Sequence, residues 1–275
     1  MYKTFIRWSG NKSKYIRHIV PLFPTKIGTY FEPFLGSGSI FLHLKPKKWV
    51  VNDMNFDLIN AWKSIKDSPD EVFSEMKKIA SYLKTLDNVS KLNYCKRKTK
   101  SIEHISCNNK RAAVFIAMKY CAYMGHICIR NKFYFPSLDI KVQNNHYYFA
   151  TKQYLKTLNN ASMFLKYNKG IILNTNYSNA LTTAKKGDFV FVDPPYIENH
   201  KYQFNYNTNE SLNTKFIDEL YDNLVKLDKR GVKWLMTQAD DDYVKVKFKQ
   251  FKISSFPVYR FASNTHKEEI IIKNY

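Results

Sequence analysis

The segment Asp193-Pro194-Pro195-Tyr196 places a carboxylate, two rigid prolines and an aromatic ring next to one another. It follows residues 188–192, whose aromatic and β-branched side chains predict a buried strand. The carboxylate therefore lies at a strand end, and each proline holds the residue before it extended. A fixed carboxylate, a proline carbonyl and a flat ring suit a planar group with an exocyclic amine, such as adenine or cytosine. The alternative is an ordinary turn, because Asp-Pro is common in turns.

A second group of candidate residues lies near the start of the chain. The loop Glu32-Pro33-Phe34-Leu35-Gly36-Ser37-Gly38 follows a predicted strand, and glycines there allow a ligand to lie against the backbone. Asp53 ends the next predicted strand, where a carboxylate can bind both hydroxyls of a ribose. The loop lacks the full dinucleotide pattern and the Lys-Ser/Thr of a phosphate loop. The alternative is a tight turn followed by an Asp that caps a helix.

Strands and helices alternate around these residues. Strands are predicted at 29–32, 49–51, 171–173, 189–192, 232–236 and 269–272, and helices at 14–20, 40–44 with Ser39 as its cap, 55–65 and 216–227. This alternation predicts an α/β fold with a doubly wound sheet.

The middle of the chain has a different character. Helical periodicity dominates residues 58–150, with cationic clusters at 96–100 and 110–111 and an aromatic stretch at 127–136 that suggests a hairpin-like tip. We therefore expect a catalytic domain of residues 1–57 and 151–275, interrupted by a mostly helical insertion of residues 58–150.

The charge of the chain indicates a polyanionic partner. Its 275 residues include 44 Lys and Arg against 23 Asp and Glu, which gives a formal net charge of +21. Nucleic acid is the first choice of partner. An acidic membrane surface is second, since no amphipathic basic helix supports it. A lysine-rich bias from an AT-rich genome would give a similar composition.

The cysteines and the N-terminus limit the cellular setting. Cys95, Cys107, Cys121 and Cys128 form no Cys-x-x-Cys pair, and their spacing suits no zinc site, so we expect reduced thiols and no metal. The start of the chain is no signal peptide, and no apolar run reaches transmembrane length. We expect a soluble cytoplasmic protein with no membrane partner. The sequence gives no sign of the oligomeric state.

The motifs, taken in order, resemble those of the Dam-type DNA adenine-N6 methyltransferases, which use S-adenosyl-L-methionine. The resemblance spans nearly the whole chain, from the aromatic-x-Gly-x-Lys motif at Trp8-Ser9-Gly10-Asn11-Lys12, through the loop 32–38 and Asp53, to residues 187–196. Lys267-Glu268-Glu269, before the last apolar strand, also matches. The resemblance implies a Rossmann-like methyltransferase sheet with a helical target-recognition insertion, and double-stranded DNA as the partner.

The resemblance also implies the cofactor-binding residues. Trp8 and Lys12 are expected near the methionine end of the cofactor, with Lys12 reaching its carboxylate, while Asp53 holds the ribose. The loop after the first strand is expected to pass beneath the cofactor, and Asn176 and Tyr177 match positions beside the adenine ring. The complete set is Trp8, Lys12, Glu32, Pro33, Phe34, Gly36, Gly38, Asp53, Asn176, Tyr177 and Asp193.

The catalytic residues implied by the resemblance are Asp193, Pro194, Pro195 and Tyr196. Asp193 and the Pro194 carbonyl would accept hydrogen bonds from the target amine, and Tyr196 would stack on a base flipped out of the duplex. The freed nitrogen lone pair would attack the sulfonium methyl group in line. Positioning and electrostatics carry such a transfer, so neither a Cys nucleophile nor a metal is expected.

Four residues match positions at which the family contacts DNA. They are Arg7, Arg130, Asn131 and Pro136, and Arg130 is the candidate for reading guanine in the major groove. The family's usual target is GATC. The segment between Arg130 and Pro136 is shorter than in the family, and Ser137-Leu138 stands where a glycine is usual, which leaves the target sequence open.

Two other hypotheses stay open from the sequence. The first is a degenerate methyltransferase that binds nucleic acid without catalysis, although the intact Asp53 and Asp193 argue against it. The second keeps the enzyme and changes its substrate to RNA adenine or to cytosine N4. Asp rather than Asn or Ser at position 193 favours adenine, by resemblance alone.

Overall fold

One sheet of seven strands organises the computed structural model of the chain, which describes residues 4–128, 134–196, 214–260 and 265–275. The strands are β1 (Tyr30–Glu32), β2 (Lys48–Asn52), β3 (Lys169–Leu173), β4 (Phe189–Val192), β5 (Lys233–Ala239), β6 (Lys252–Arg260) and β7 (Thr265–Lys273). Their order across the sheet is β3-β2-β1-β4-β5-β7-β6. The first five strands are parallel, and β7 lies antiparallel between β5 and β6. The predicted doubly wound, Rossmann-like sheet is thereby confirmed.

The helices fall into three groups along the chain. Before β2 lie α1 (Ile16–Ile19) and α2 (Ser39–Leu44). Between β2 and β3 lie α3 (Phe56–Asp67), α4 (Pro69–Lys84), α5 (Asn88–Lys100), α6 (Asn108–Cys121), α7 (Ile140–Gln143) and α8 (Lys152–Tyr167). After β3 lie α9 (Tyr177–Ala180), α10 (Thr214–Lys229) and α11 (Asp242–Lys247).

The two faces of the sheet bury two separate cores. Successive side chains of a strand point to opposite faces, so β4 contributes to both. Phe189 and Phe191 pack in the core shared with helices α1 to α8, whereas Val190 and Val192 pack in the core shared with α9, α10 and α11. All four β4 side chains are buried, which explains why the sequence before Asp193 is a continuous apolar run.

Helix α6 runs through the middle of the helical region. Every residue from Arg111 to Cys121 is buried, and a helix buried on all sides needs partners for its charges. The Arg111 guanidinium forms an ion pair with Asp57, with 2.6 Å between Nε and Oδ1. The Lys119 ammonium donates to the Gly125 carbonyl at 3.1 Å and lies 4.3 Å from the centroid of the Trp8 ring.

The helical region shares its core with the sheet. Helices α3, α4, α6 and α8 pack on one another, and their buried side chains belong to the same core as Phe189 and Phe191. Helix α8 falls within the expected catalytic domain, yet it packs on α3 and α4 of the expected insertion. The division at residues 57 and 151 stays a prediction.

Several sequence expectations need correction. The expected helix at 14–20 is the single α-helical turn α1 between 3-10 turns at Lys12–Lys14 and Val20–Leu22, so Pro21 lies inside a 3-10 turn. Ser39 does not cap α2; Gly38 precedes that helix with a φ of 61° and provides no side-chain cap. Strand β6 and helix α8 were not predicted. Most described side chains of β6 are exposed and Pro257 lies within it, as is tolerated only in an edge strand.

The remaining general features concern membranes, thiols and metals. Each helix among the described residues falls short of the length and apolar character that a membrane span requires. The four cysteines are free thiols; Cys107 is exposed and the other three are buried. Within the same part of the chain, His, Cys, Asp and Glu side chains form no group of three or more that would hold a metal ion.

The buried Lys119 predicts a pH-dependent stability. Burial lowers its pKa from an ordinary value of 10.5 to about 7, so the unfolded chain holds a proton that the folded protein has lost between these values. The free energy of unfolding should therefore rise between pH 7 and pH 10.5, by about 1.4 kcal/mol per pH unit from this group alone. We expect Lys119→Met to be more stable than the native chain at pH 7, with an advantage that shrinks towards pH 9.5.

Urea unfolding of both proteins across this pH range measures the difference. Lys84→Met, on the exposed side of α4, is the matched control and should show no such pH dependence. A constant difference between Lys119→Met and the native chain would show that Lys119 titrates at its ordinary pKa.

Candidate active site

A cavity of about 780 Å³ lies at the carboxyl ends of the central parallel strands. The chain passes from β1 to β2 and β3 on one side, and from β4 to β5 on the other, so the strand order reverses between β1 and β4. Such a switch point is where open α/β sheets bind their ligands. The sequence-predicted residues that line the cavity are Trp8, Lys12, Glu32, Pro33, Phe34, Gly36, Asp53, Asn176, Tyr177, Asp193, Pro194, Pro195 and Tyr196.

The two glycines of the loop after β1 have different surroundings. Gly36 has a φ of 48°, and a Cβ added to it would lie 2.8 Å from the Trp8 ring, so only glycine lets this loop pass so close to Trp8. A Cβ on Gly38 would lie 2.6 Å from the Trp62 ring, which belongs to the core. Gly38 does not line the cavity, and its role as a cofactor contact stays a prediction.

Asp53 is held by backbone amides at the end of β2. Its Oδ2 accepts a hydrogen bond from the Gly36 amide at 3.0 Å, and its Oδ1 accepts one from the Asn55 amide at 2.9 Å. Asn55 in turn caps α3 by accepting from the Leu58 amide. Burial raises the pKa of Asp53, and these amide hydrogen bonds oppose the rise. The carboxylate also lines the cavity, where a hydroxyl could donate to it.

The Glu32 carboxylate lines the cavity and is hydrogen-bonded to a neighbouring side chain. The Tyr30 hydroxyl donates to its Oε2 at 2.6 Å, and both side chains are buried. Burial raises the pKa of Glu32 well above its usual range, and the nearby charge of Asp193 raises it further, although the Tyr30 hydrogen bond works in the opposite direction. This hydrogen bond fixes the side chain of Glu32 at the start of the loop after β1.

Three aromatic rings, those of Phe34, Tyr177 and Phe216, form a wall of the cavity. The rings of Phe34 and Tyr177 stack with centroids 5.1 Å apart, and Phe216 packs edge-on against both. Asn176 begins α9, where its Oδ1 accepts from the Ser178 amide at 2.9 Å. Such a wall suits the face of a planar ring.

Asn52 connects the loops that carry these rings, and its role was not predicted. Its Nδ2 donates to the carbonyls of Pro33 and Thr175, each at 3.0 Å, and its Oδ1 accepts from the Thr175 amide. A buried Asn at a strand end is the signal that was overlooked, because a buried amide group must find hydrogen-bond partners.

The end of β4 carries the Asp193 cluster, which we define as Lys12, Asp193, Tyr196, Thr237 and Glu269. The Asp193 Oδ1 lies 2.8 Å from the Lys12 ammonium and accepts a hydrogen bond from the Thr237 hydroxyl at 2.7 Å. The Tyr196 hydroxyl donates to the Glu269 carboxylate at 2.8 Å, and the Tyr196 ring centroid lies 4.9 Å from the ammonium.

Lys12 is the buried cation of this cluster. Its ammonium also donates to the Gly10 carbonyl at 3.1 Å and lies 3.9 Å from Glu269. Burial acts to lower the pKa of Lys12, but the charges of Asp193 and Glu269 outweigh it and raise that pKa. Lys12 is therefore a protonated ammonium that bridges two carboxylates.

Two members of the Asp193 cluster received no role from the sequence. Met236 of β5 lies opposite Val192 of β4, so Thr237 follows at the level of Asp193. Glu269 lies opposite Ala239 on the neighbouring strand. Both placements depend on strand register; the sequence predicted only that the segment Lys267-Glu268-Glu269 resembles the family, without a role for Glu269.

Two of the expected DNA-contacting residues, Arg7 and Pro136, can be located, and neither lines the cavity. The Arg7 guanidinium pairs with Asp139, with 2.7 Å between Nη1 and Oδ2, and it lies 4.9 Å from the Tyr120 ring centroid. Arg130 and Asn131 lie outside the described residues. The backbones of Cys128 and Tyr134 exchange two 3.0 Å hydrogen bonds at the base of the expected hairpin. Pro136, which follows, is half-buried.

Comparison with known proteins identifies the family. The model of the D12 class N6 adenine-specific DNA methyltransferases matches residues 8–258. The type II methyltransferase M1.LlaDCHI of Lactococcus lactis subsp. cremoris is 27% identical over 287 residues, which cover 99% of this chain and 95% of that protein. M.MjaIII of Methanocaldococcus jannaschii is 26% identical and covers 99% of each chain. The DNA adenine methylase of Haemophilus influenzae is 23% identical, over 71% of this chain and 64% of its own length.

The family match agrees with the geometry of the site. It includes the loop after β1, Asp53 and the segment Asp193-Pro194-Pro195-Tyr196, which surround one cavity at the switch point. It supports DNA adenine over RNA or cytosine, and an enzyme over a degenerate binding protein. The chain belongs to the D12 class of N6 adenine-specific DNA methyltransferases, which methylate adenine in DNA with S-adenosylmethionine as the cofactor.

Proposed function

We propose that Asp193 and the Pro194 carbonyl bind the amine of a flipped-out adenine beside the cofactor in the cavity of about 780 Å³. The observation that carries this proposal is the placement of Asp193 at the end of β4, with one carboxylate oxygen bonded to Lys12 and Thr237. The same cavity contains the ring wall of Phe34 and Tyr177 and the carboxylate of Asp53. The same cavity therefore contains groups proposed to bind the target adenine and groups proposed to bind the cofactor.

The lining residues fit S-adenosylmethionine, which when bound supplies a methyl group on a sulfonium. Asp53 would bind the ribose hydroxyls, and the Phe34–Tyr177 wall would contact the adenine ring beside Asn176. Gly36 and Trp8, which lie close together, both line the cavity. Lys12 stays the proposed ligand of the methionine carboxylate, and its ammonium would then contact both that carboxylate and Asp193.

The proposed chemistry depends on where the amine hydrogens go. If Asp193 and the Pro194 carbonyl each accept one of them, the nitrogen lone pair is withdrawn from the ring and directed towards the methyl group. The methylated nitrogen must release one proton, and in this proposal Asp193, which would already accept a hydrogen bond from the amine, takes it. Tyr196 would stack on the base, with its hydroxyl held by Glu269.

The proposed partner is double-stranded DNA. The net charge of +21 suits a duplex, from which the target base must be flipped to enter the cavity. We assign recognition to residues 58–150, with Arg7, Arg130, Asn131 and Pro136 as DNA contacts and GATC as the first target to test. Because the substrate is DNA, we place the protein in the compartment that holds DNA.

We expect methyl transfer to adenine N6 within one short motif of duplex DNA. Labelled S-adenosylmethionine and unmethylated plasmid DNA provide the assay, and sequencing that detects N6-methyladenine maps the motif. Duplexes with and without GATC decide whether the altered hairpin still reads that sequence. Cofactor binding without label in any duplex would contradict the proposed double-stranded substrate.

Asp193→Ala should reduce methyl transfer by about a hundred-fold or more, because the group that orders the target amine is lost. Cofactor affinity should stay within about three-fold, since the other proposed cofactor contacts remain. Single-turnover transfer and calorimetric titration with the cofactor measure the two quantities, and thermal unfolding verifies the fold. Near-normal turnover would show that Asp193 is not the catalytic carboxylate.

Asp53→Ala should mainly weaken cofactor binding, by about ten-fold or more, because a charged hydrogen-bond acceptor for the ribose is lost. The transfer rate at saturating cofactor should change much less. Asp67→Ala, at the exposed end of α3, is the matched control and should leave cofactor affinity unchanged. Equal cofactor affinities of Asp53→Ala and the native chain would remove Asp53 from the cofactor site.

A further inference from the structure

We infer that Thr237 is a positioning residue for methyl transfer, which fixes the Asp193 carboxylate so that its Oδ2 is presented to the target amine. This inference rests on the proposed role of Asp193. Thr237 acts through Asp193, because its hydroxyl donates to the Asp193 Oδ1 at 2.7 Å.

The surroundings of Thr237 favour a single orientation of its hydroxyl. The residue is fully buried in β5, between the neighbouring strands β4 and β7. A β-branched side chain in a strand has few rotamers, so its hydroxyl is a stiff donor. A buried hydroxyl without a partner is costly, and the partner here is Asp193. The distance of 2.7 Å is typical of a hydroxyl bonded to a carboxylate.

The two oxygens of Asp193 are used unequally. Oδ1 accepts from the Thr237 hydroxyl and lies 2.8 Å from the Lys12 ammonium, so both of its lone pairs are engaged. Among the residues that the structure describes, Oδ2 has no hydrogen-bond partner within 3.5 Å. Oδ2 is therefore the oxygen left to accept an amine hydrogen.

Thr237 and Lys12 restrain the carboxylate differently. Lys12 has a flexible stem, and its ammonium is shared with Gly10 and Glu269. It is also the proposed ligand of the cofactor carboxylate, so its bond to Asp193 is open to change during binding. The Thr237 hydroxyl projects from the centre of the sheet and stays in place, so it prevents rotation of the carboxylate when Lys12 moves.

The consequence should appear in turnover rather than in binding. Loss of the Thr237 hydroxyl leaves the cavity walls and the charge of Asp193 intact, but allows the carboxylate to rotate away from the amine. A misplaced acceptor slows the chemical step while the binding of DNA and cofactor changes little.

Thr237→Val tests this inference, because it removes the hydroxyl and keeps the branched shape. We expect kcat to fall by about ten-fold to a hundred-fold, which is the fold-change that corresponds to a hydrogen bond with a charged group. The KM for duplex DNA and the Kd for the cofactor should stay within about three-fold. Thr237→Ser keeps the hydroxyl and should recover most of the lost rate. Thr157→Val, a buried Thr on α8 whose hydroxyl bonds to Gln153, is the matched control and should keep the native rate.

Two outcomes would overturn the inference: a kcat of Thr237→Val within about two-fold of native, or an equal loss in Thr237→Ser, which would indicate packing alone. If Thr237→Val does not fold, Thr237→Ala and Thr237→Ser form a second pair that differs by the hydroxyl, and equal rates in this pair would also overturn it. Asp193→Ala distinguishes a failure of the proposed function from a failure of the role of Thr237. Full activity of that variant refutes the proposed function, whereas its inactivity together with native turnover of Thr237→Val refutes only the role of Thr237.

Discussion

The parallel pairing of β1 with β4 is the constraint on which the site depends. Tyr30 lies opposite Phe189 and Phe31 lies opposite Val190, so the two strands end at the same edge of the sheet. The chain leaves β1 through the glycine loop and leaves β4 through Asp193-Pro194-Pro195-Tyr196. Two segments more than 150 residues apart in the sequence therefore form one cavity. The buried apolar side chains of both strands hold this pairing in place.

Charge balance governs the catalytic end of the cavity. Burying an isolated ammonium or carboxylate costs free energy. The neighbouring carboxylates of Asp193 and Glu269 offset the cost of burying the Lys12 ammonium. Within the Asp193 cluster, two carboxylates surround one ammonium. The neutral donors Thr237 and Tyr196 add one hydrogen bond each, Thr237 to Asp193 and Tyr196 to Glu269. The same contacts therefore stabilise the folded chain and order the groups proposed for catalysis.

The helical region is joined to this site by buried contacts. Lys119 of α6 lies against Trp8, which lines the cavity, while Arg111 of the same helix is paired with Asp57 of α3. The Arg7–Asp139 ion pair links the segment before Trp8 to the residue that caps α7. The regions proposed for recognition and for catalysis thus share one packed core, which suits an enzyme that must hold a base and its flanking duplex at once.

The sequence by itself determined the local features. The continuous apolar run of β4 predicted a buried strand with Asp193 at its end, Asn55 predicted the start of α3, and the ordered motifs predicted the family. The cap assigned to Ser39 was wrong, because Gly38 precedes α2 in a left-handed conformation and provides no side-chain cap. Strand β6 was missed because most of its described side chains are exposed and it contains Pro257.

Only the tertiary structure decided which groups meet at the site. Thr237 reaches Asp193 because β5 pairs with β4 in one register, and a shift of one residue would turn the hydroxyl to the opposite face. The contacts of Lys12 with Asp193 and Glu269 likewise join three distant segments. Hydrogen bonds and ion pairs of this kind depend on strand register and on packing between elements. Neither the register nor the packing can be predicted from residues that are neighbours along the chain.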